Sequence, residues 1–229
     1  MLISNAQIRA LKVPIFLLCL GPLFTLIWKA LHDLPQTAGI PFIAQGADRW
    51  SLGANPIEVI TRSTGKWTLI FLLLTLAITP ARKLFRQPWL VRFRRMLGLF
   101  AFFYVVLHFL TYIWLDKFFD WHEMLIDIQK RKFITVGFSA FVLLIPLALT
   151  STSGWIRRLG GKRWARLHQA IYISAMLGIL HFLWLVKFDT RRPIYYGTAL
   201  AALILYRAVV VLYPKFTSSP HLKNSYAQD

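Results

Sequence analysis

The sequence predicts an all-α integral membrane protein, a six-helix transmembrane bundle with both termini in the cytoplasm. Three observations predict this class: an apolar composition, six apolar runs of bilayer-spanning length, and basic residues concentrated in alternate loops. Of the 229 residues, 57% are hydrophobic and 16% are charged, and the mean hydropathy is +0.53. A soluble domain of this size would need a more polar surface than this composition supplies.

Six runs approach the length of about 20 residues that crosses a bilayer as a helix. The first follows Arg9 and Lys12 and is long enough for a retained signal-anchor, since further hydrophobic segments come after it. The second is the weakest, because its strictly apolar part, 67–79, needs residues 63–65 to reach full length. Pro22 and Pro146 predict kinks in the first and fourth runs. The predicted helices cover 13–31, 64–81, 96–115, 133–153, 165–186 and 193–213.

The distribution of charge between loops predicts the orientation. Cytoplasmic loops of membrane proteins carry an excess of Lys and Arg, so the segments after the second and fourth runs should lie inside, together with both termini. Eight of the nine acids fall in the opposite segments. The net charge of +18 therefore reflects topology, which argues against nucleic-acid binding. The inside basic residues are Arg82, Lys83, Arg86, Arg92, Arg94 and Arg95 in one segment and Arg157, Arg158, Lys162, Arg163 and Arg166 in the other.

Three of the six histidines, His108, His168 and His181, lie in predicted membrane helices, where ionisable side chains usually face the bundle interior and serve a function. At 1.5 Å per residue, His108 lies about 19 Å and His181 about 22 Å from the inner boundary, whereas His168 lies about 3 Å from it. Two imidazoles at one depth on separate helices suit a six-coordinate b-type haem used for electron transfer. The single cysteine, Cys19, excludes a CxxCH haem attachment.

Other interpretations of the histidines remain open. Zinc normally takes Cys or carboxylate ligands beside histidine, and a proton relay normally includes acids, but no acid or second thiol lies at this depth. His168 could ligate a second haem, contact a flavin or quinone, or sit at the membrane interface. We expect His32, His122 and His221 to be loop and tail residues. The outer segments 32–63 and 116–132 are long enough to form a docking surface.

Three stretches resemble a known family of membrane proteins. They are ITPARKLFRQPWLVRFRRMLGL at 78–99, TSTSGWIRRLGGKRWARLH at 150–168 and HFLWLVK at 181–187. These stretches, with the helix number and the length, are similar to the MsrQ (YedZ) family, the haem-binding membrane subunits of a periplasmic methionine sulfoxide reductase system. The resemblance covers nearly the whole chain and implies one ferric-reductase-like transmembrane domain over 1–229, in the bacterial inner (plasma) membrane.

The resemblance also implies a function. It implies that electrons from a cytosolic flavin reductase or the quinone pool pass through the membrane subunit, with FMN as a second cofactor beside haem b. The acceptor would be a periplasmic molybdenum-containing subunit, MsrP, which reduces methionine sulfoxide in oxidised envelope proteins. The substrate chemistry would then belong to the partner, and this chain would be the electron-transfer subunit of an oxidoreductase complex, with no catalytic residue of its own.

The candidate site residues follow from the histidine pair and from loop charge. His108 and His181 are the expected axial ligands of the haem iron, with His168 as a further candidate. The resemblance also implies a relation to the NADPH oxidases, which carry two histidines on the helix of His108. Position 94 here is arginine, so one outer haem, or two with an unusual inner ligand pair, is expected. Candidate flavin or phosphate contacts are Arg92, Arg94, Arg95 and Arg163, and candidate propionate contacts are Lys187, Arg191 and Arg192.

Two other functions remain alternatives. A free-standing ferric or cupric reductase would use the same haem without a protein acceptor. A membrane transporter or haem-delivery protein belongs to a different class, and a transporter should have a polar path across the bilayer. The acid-free membrane runs argue against such a path.

Overall fold

The computed structural model describes residues 4–37, 51–186 and 188–217, with the side chains of 34–37 and 211–217 left aside. Within those ranges the regular structure is helical throughout, and six segments are long and apolar enough to cross a membrane, as the sequence predicts. A 3₁₀ turn, Pro88–Leu90, precedes the third helix, and a π-helical segment, Thr111–Asp116, extends it. The helices are α1 (Asn5–Thr37), α2 (Pro56–Leu84), α3 (Val91–Leu110), α4 (Trp121–Lys130), α5 (Lys132–Leu149), α6 (Ser153–Leu159), α7 (Gly161–Leu167), α8 (Ala170–Leu185) and α9 (Arg191–Thr217).

Local sequence accounts for where several helices begin. Asn55 caps α2, since its side chain accepts a hydrogen bond from the backbone N–H of Glu58, and Pro56 occupies the first helical position. Asp120 caps α4 in the same way through the N–H of Glu123, at 2.9 Å. Each cap satisfies a donor that the first turn of a helix leaves without an intrahelical partner.

The bundle is organised around two extensive helix pairs, α2 with α3 and α5 with α8. Aromatic rings fill the contact between α2 and α3, where Phe71 stacks on Phe100 and on Tyr104, with ring centres 5.7 and 5.3 Å apart. The Tyr104 hydroxyl, fully buried, donates to the carbonyl of Cys19 at 2.8 Å and accepts from the N–H of Leu23. Those two groups of α1 flank Pro22, so α3 supports α1 where proline weakens the helical hydrogen bonds.

The fifth predicted helix is interrupted in the structure. Its membrane segment runs over Gly161–Leu185, but α7 ends at Leu167 and α8 begins at Ala170. The carbonyl of Trp164 accepts the backbone N–H of His168 and also interacts with Nδ1 of the same residue at 3.1 Å. Beyond this point the backbone N–H groups bond three residues back instead of four, from Gln169 to the carbonyl of Arg166 and from Tyr172 to that of Gln169. A tight turn at 168–169 therefore interrupts the continuous helix predicted over 165–186.

Two of the histidines expected in loops lie in helices. His32 belongs to the end of α1, and His122 lies on the exposed side of α4, a short helix inside the outer segment predicted to be a loop. The prediction missed α4 because its ten residues are amphipathic and too polar to register as an apolar run. His122 lies outside the membrane-spanning segments, as expected, and His221 lies outside the described residues.

Candidate haem site between two helix pairs

His108 lies near the end of α3, with its ring turned toward α2. Its Nδ1 is 2.9 Å from the carbonyl oxygen of Thr61 and 3.4 Å from the hydroxyl of Thr64. A carbonyl can only accept, so the proton of the neutral ring lies on Nδ1. The lone pair of Nε2 is thereby left available to a metal.

His181 repeats this arrangement in the other helix pair. It lies on α8, and its Nδ1 is 2.7 Å from the carbonyl oxygen of Phe133 near the start of α5. The ring of Phe133 lies 6.0 Å from the imidazole, centre to centre. The same argument places the proton on Nδ1 and the free lone pair on Nε2.

The structure brings these two imidazoles together and turns them nearly at right angles. Their centres are 6.1 Å apart and their planes meet at 79°. Two metal–nitrogen bonds of about 2 Å, with each ring centre about 1 Å beyond its nitrogen, would separate the centres by about 6 Å. Both residues are half-buried, so neither is fully enclosed by the surrounding protein. The donor set and its separation fit a haem iron.

An aromatic cluster lies next to His108 and Gly137 along the chain, and no competing ligand set is found among the described residues. Phe109 packs against Phe138 and Phe141, with ring centres 5.7 and 4.7 Å apart. Across the described ranges, no group of three or more His, Cys, Asp or Glu side chains is placed to hold a metal ion. Two imidazoles in an apolar surrounding are typical ligands of low-spin haem and unusual ligands for structural zinc.

His168 lies apart from the pair and has protein partners at both ring nitrogens. Its Nδ1 interacts with the carbonyl of Trp164, and its Nε2 is 3.4 Å from the hydroxyl of Ser151. The Trp164 ring stacks on the imidazole, with the centres 3.9 Å apart. The electrostatic neighbours of His168 include Arg94 and Arg95, so it belongs to the basic end of the bundle, which the loop charges predict to face the cytoplasm.

Of the four candidate flavin contacts, one arginine is half-buried and three are exposed. Arg94 is half-buried and has Tyr172 and Arg207 as electrostatic neighbours, and the Arg207 guanidinium lies 5.4 Å above the Tyr172 ring. Arg95 is exposed beside it, whereas Arg92 donates to the side chain of Asn5. Arg163 is exposed on α7.

The candidate propionate contacts are less well defined. Arg191 and Arg192 are exposed at the start of α9. The backbone N–H of Arg191 donates to the carboxylate of Asp189, which orders the turn into the helix. Lys187 lies outside the described residues.

Sequence reasoning missed the groups that hold the rings. These are the carbonyls of Thr61 and Phe133, together with two glycines, Gly65 and Gly137, that face the imidazoles. A backbone carbonyl has no sequence signature. A glycine inside a membrane run is a signal, but many such glycines serve helix packing alone.

Comparison with known proteins identifies the family. Residues 64–179 match the family described as "Ferric reductase like transmembrane component", a range that contains His108 and His168 and ends two residues before His181. A relative from Herminiimonas arsenicoxydans, a protein-methionine-sulfoxide reductase heme-binding subunit MsrQ, is 64% identical over 68% of this chain and 72% of its own length.

The chain belongs to the MsrQ family. MsrQ proteins from Azospira oryzae and Xanthomonas campestris pv. campestris are 52% and 44% identical. The first alignment covers 89% of this chain and 80% of the relative, and the second covers 95% and 94%. Both relatives are named as heme-binding subunits of a protein-methionine-sulfoxide reductase. Membership of the MsrQ family therefore agrees with the resemblance stated from the sequence.

Proposed function

We propose that this chain is a haem b electron-transfer subunit of the inner membrane, with His108 and His181 as axial ligands. Its electrons would come from a cytosolic flavin reductase or from quinol. They would go to a periplasmic molybdenum-containing methionine sulfoxide reductase of the MsrP type, for repair of oxidised periplasmic proteins. The haem supplies one-electron redox chemistry when bound, and the protein holds and orients it.

The observation that carries this proposal is the pair of imidazoles 6.1 Å apart, each with Nδ1 against a backbone carbonyl. These two side chains would hold a haem iron, and a haem held by two imidazoles would supply one-electron transfer and not oxygen binding. A haem held in this way would be suited to passing electrons to a partner protein. The names of the relatives support the assignment of haem and of the methionine sulfoxide reductase system.

The positions of the two candidate sites support transfer across the membrane. His108 and His181 lie toward the outer ends of α3 and α8, as the basic loops orient the chain. His168, Arg94 and Arg95 lie at the inner ends of the same membrane segments. An FMN or a quinone held at this inner basic end would stand between a cytosolic donor and the outer haem.

The first test is the reduced-minus-oxidised visible spectrum of the full chain in detergent, with a pyridine haemochrome assay for haem per chain. Sharp low-spin b-type bands at one or two haems per chain are expected. A chain without haem after haem-replete expression would contradict the proposal and favour the transporter alternative. Flavin released on denaturation, measured by fluorescence, tests the FMN assignment.

A second candidate function is a free-standing ferric reductase, favoured by the match to a ferric-reductase-like family. The two functions differ in the electron acceptor. The reduced haem should be reoxidised by the periplasmic molybdenum subunit supplied with methionine sulfoxide, and slowly by ferric citrate. The opposite preference would support the ferric reductase.

A further inference from the structure

Two glycines lie where each imidazole approaches the neighbouring helix. An alanine Cβ at Gly137 would lie 2.6 Å from Nδ1 of His181 and 3.0 Å from its Cε1. An alanine Cβ at Gly65 would lie 3.0 Å from Cε1 and 3.2 Å from Nδ1 of His108. The 2.6 Å distance at Gly137 is shorter than any normal contact. The distances at Gly65 require the His108 ring to move by a few tenths of an ångström.

The two helix pairs use the same spacing. Thr61, whose carbonyl faces His108, lies four residues before Gly65, and Phe133, whose carbonyl faces His181, lies four residues before Gly137. Residues four apart lie on one face of a helix, and each Cβ leans toward the N-terminal end. A Cβ at the later position would therefore cover the carbonyl that the imidazole needs to reach.

The other membrane glycines of the bundle interior make different contacts. A Cβ at Gly98 would meet only the side chain of Thr75, at an ordinary 3.6 Å, and one at Gly178 would meet the mobile tip of Leu69, at 3.1 Å. Those positions resemble the small residues that let membrane helices pack closely. Among the glycines of the described residues, Gly65 and Gly137 are the ones at which an added Cβ would meet an imidazole ring.

We propose that Gly65 and Gly137 are positioning residues for the two haem ligands, an inference that rests on the proposed function. Each lacks a Cβ where the imidazole must pass to donate its Nδ1 proton to the carbonyl of Thr61 or Phe133. That hydrogen bond sets the tautomer, fixes the ring plane and makes Nε2 a stronger donor to iron. The tautomer, ring plane and donor strength of His108 therefore depend on α2, and those of His181 depend on α5.

The expected effects differ between the two glycines. Gly137→Ala displaces the His181 ring or breaks its hydrogen bond, and loss of such an outer partner lowers metal affinity by about 10- to 100-fold. Gly65→Ala has the same effect on His108 but to a smaller extent, because the overlap there is smaller. Both variants should raise the haem reduction potential, since a weaker imidazole donor stabilises the ferric form less.

The matched control is Gly98→Ala, on the same helix as His108. Alanine is the better helix former at all three positions, so a loss confined to Gly65→Ala and Gly137→Ala does not come from a weakened helix. Size-exclusion elution and circular dichroism of each full-length variant in detergent report whether it folds. If Gly137→Ala does not fold, the milder Gly65→Ala still tests the proposal.

The experiment measures haemin affinity, the reduction potential and the electron paramagnetic resonance spectrum of the wild type and the three variants. We expect these three properties to change most in Gly137→Ala and less in Gly65→Ala. In Gly98→Ala they should equal those of the wild type. Nitrogen NMR of histidine-labelled, haem-free protein should show Nδ1-protonated rings in the wild type and a changed His181 signal in Gly137→Ala.

The outcomes separate the two proposals. A wild type with low-spin haem, and folded glycine variants with the same affinity, potential and spectra, would overturn the glycine inference alone. A wild type that binds no haem with two imidazole ligands would overturn the proposed function and this inference with it.

Discussion

Each of the two central histidines is held by a single backbone carbonyl, and this contact determines what the side chain can bind. With Nδ1 at 2.9 and 2.7 Å from the oxygens of Thr61 and Phe133, the neutral rings keep the Nε2 lone pair available to a metal. His168 differs because its partners, Trp164 and Ser151, engage both nitrogens. The three membrane histidines therefore divide into a facing pair and a separate inner residue.

The pair and the inner residue should respond differently to substitution. We expect His108→Ala and His181→Ala each to abolish the outer haem, because each change removes one of the two proposed ligands of the iron. His168→Ala is the control, and it should keep that haem or lose only a second, inner one. Visible spectra with the haem-to-protein ratio measure the effect. A normal haem spectrum in both of the first two variants would refute the ligand assignment.

The angle of 79° between the imidazole planes predicts a spectroscopic property. Nearly perpendicular axial rings leave two iron d orbitals close in energy, whereas parallel rings separate them. We expect a highly anisotropic low-spin ferric signal, with its largest g value above that of haems with parallel ligands. Low-temperature electron paramagnetic resonance of the oxidised protein measures it. An ordinary rhombic signal would show that the planes are closer to parallel when haem is bound.

At the scale of elements, α4 depends on buried charge. Lys117 and Asp127 are both buried, and their side chains pair at 2.8 Å, while Arg131 pairs with the other oxygen of Asp127 at 3.1 Å. The hydroxyl of Tyr112 donates to the same carboxylate. These contacts tie α4 to the end of the third membrane segment.

The charged state of this network should hold over a wide pH range. The hydrogen bond with Asp127 raises the pKa of Lys117. Burial alone would raise the pKa of Asp127, but the hydrogen bond from Lys117 and the charges of Arg131 and Lys117 outweigh it and lower that pKa. The stabilisation is therefore complete above about pH 4, and it is lost as the pH falls through the depressed Asp127 pKa. It is also lost when the pH rises above about 10.5, through the raised pKa of Lys117.

Removing one partner of the buried pair should loosen α4. Asp127→Asn leaves Lys117 charged without its main partner, and breaking a buried pair in this way costs about 3–5 kcal/mol. Glu123→Gln is the control, because Glu123 is exposed and contacts the same Lys117, where a surface pair is worth about 0–1 kcal/mol. Hydrogen exchange of peptides from α4 at neutral pH measures the difference. Equal exchange in the two variants would contradict the structural role of Asp127.

At the scale of the whole molecule, orientation follows from the basic segments. The six membrane segments place α6 and α7 on the side of the basic loops and α4 on the opposite side. The pair of His108 and His181 lies toward the side of α4, so in the proposed function electrons from a cytosolic donor would cross most of the bilayer to reach it. The direction of electron flow is thus linked to the topology.

The topology can be tested because Cys19 is the single cysteine and is buried. In a Cys19→Ala background, we expect Gln129→Cys on α4 to react with a membrane-impermeant maleimide added from the periplasmic side. Lys162→Cys on α7 should react only after the membrane is opened. Both positions are exposed, so accessibility of the side chain does not bias the comparison. The reverse labelling pattern would show that the bundle has the opposite orientation in the membrane.

The sequence by itself determined the class, the number of membrane segments, the loops expected inside and the two histidines at equal depth. These properties are local or additive: hydropathy and charge sum along the chain, and depth follows from the rise per residue. Its close identity to MsrQ relatives agrees with that reading. The interruption at His168 and the short helix α4 escaped this reasoning because neither a tight turn nor an amphipathic pattern can be recognised from the hydropathy sum.

Only the tertiary structure decided which groups surround each ligand. That Thr61 and Phe133 supply carbonyls, and that Gly65 and Gly137 leave room for the rings, depends on how α2 meets α3 and α5 meets α8. A helix face can rotate against its neighbour without any change in hydropathy, so the one-dimensional pattern does not specify the contact. Close packing of the two pairs selects one rotation, and that selection places the imidazoles face to edge across the bundle.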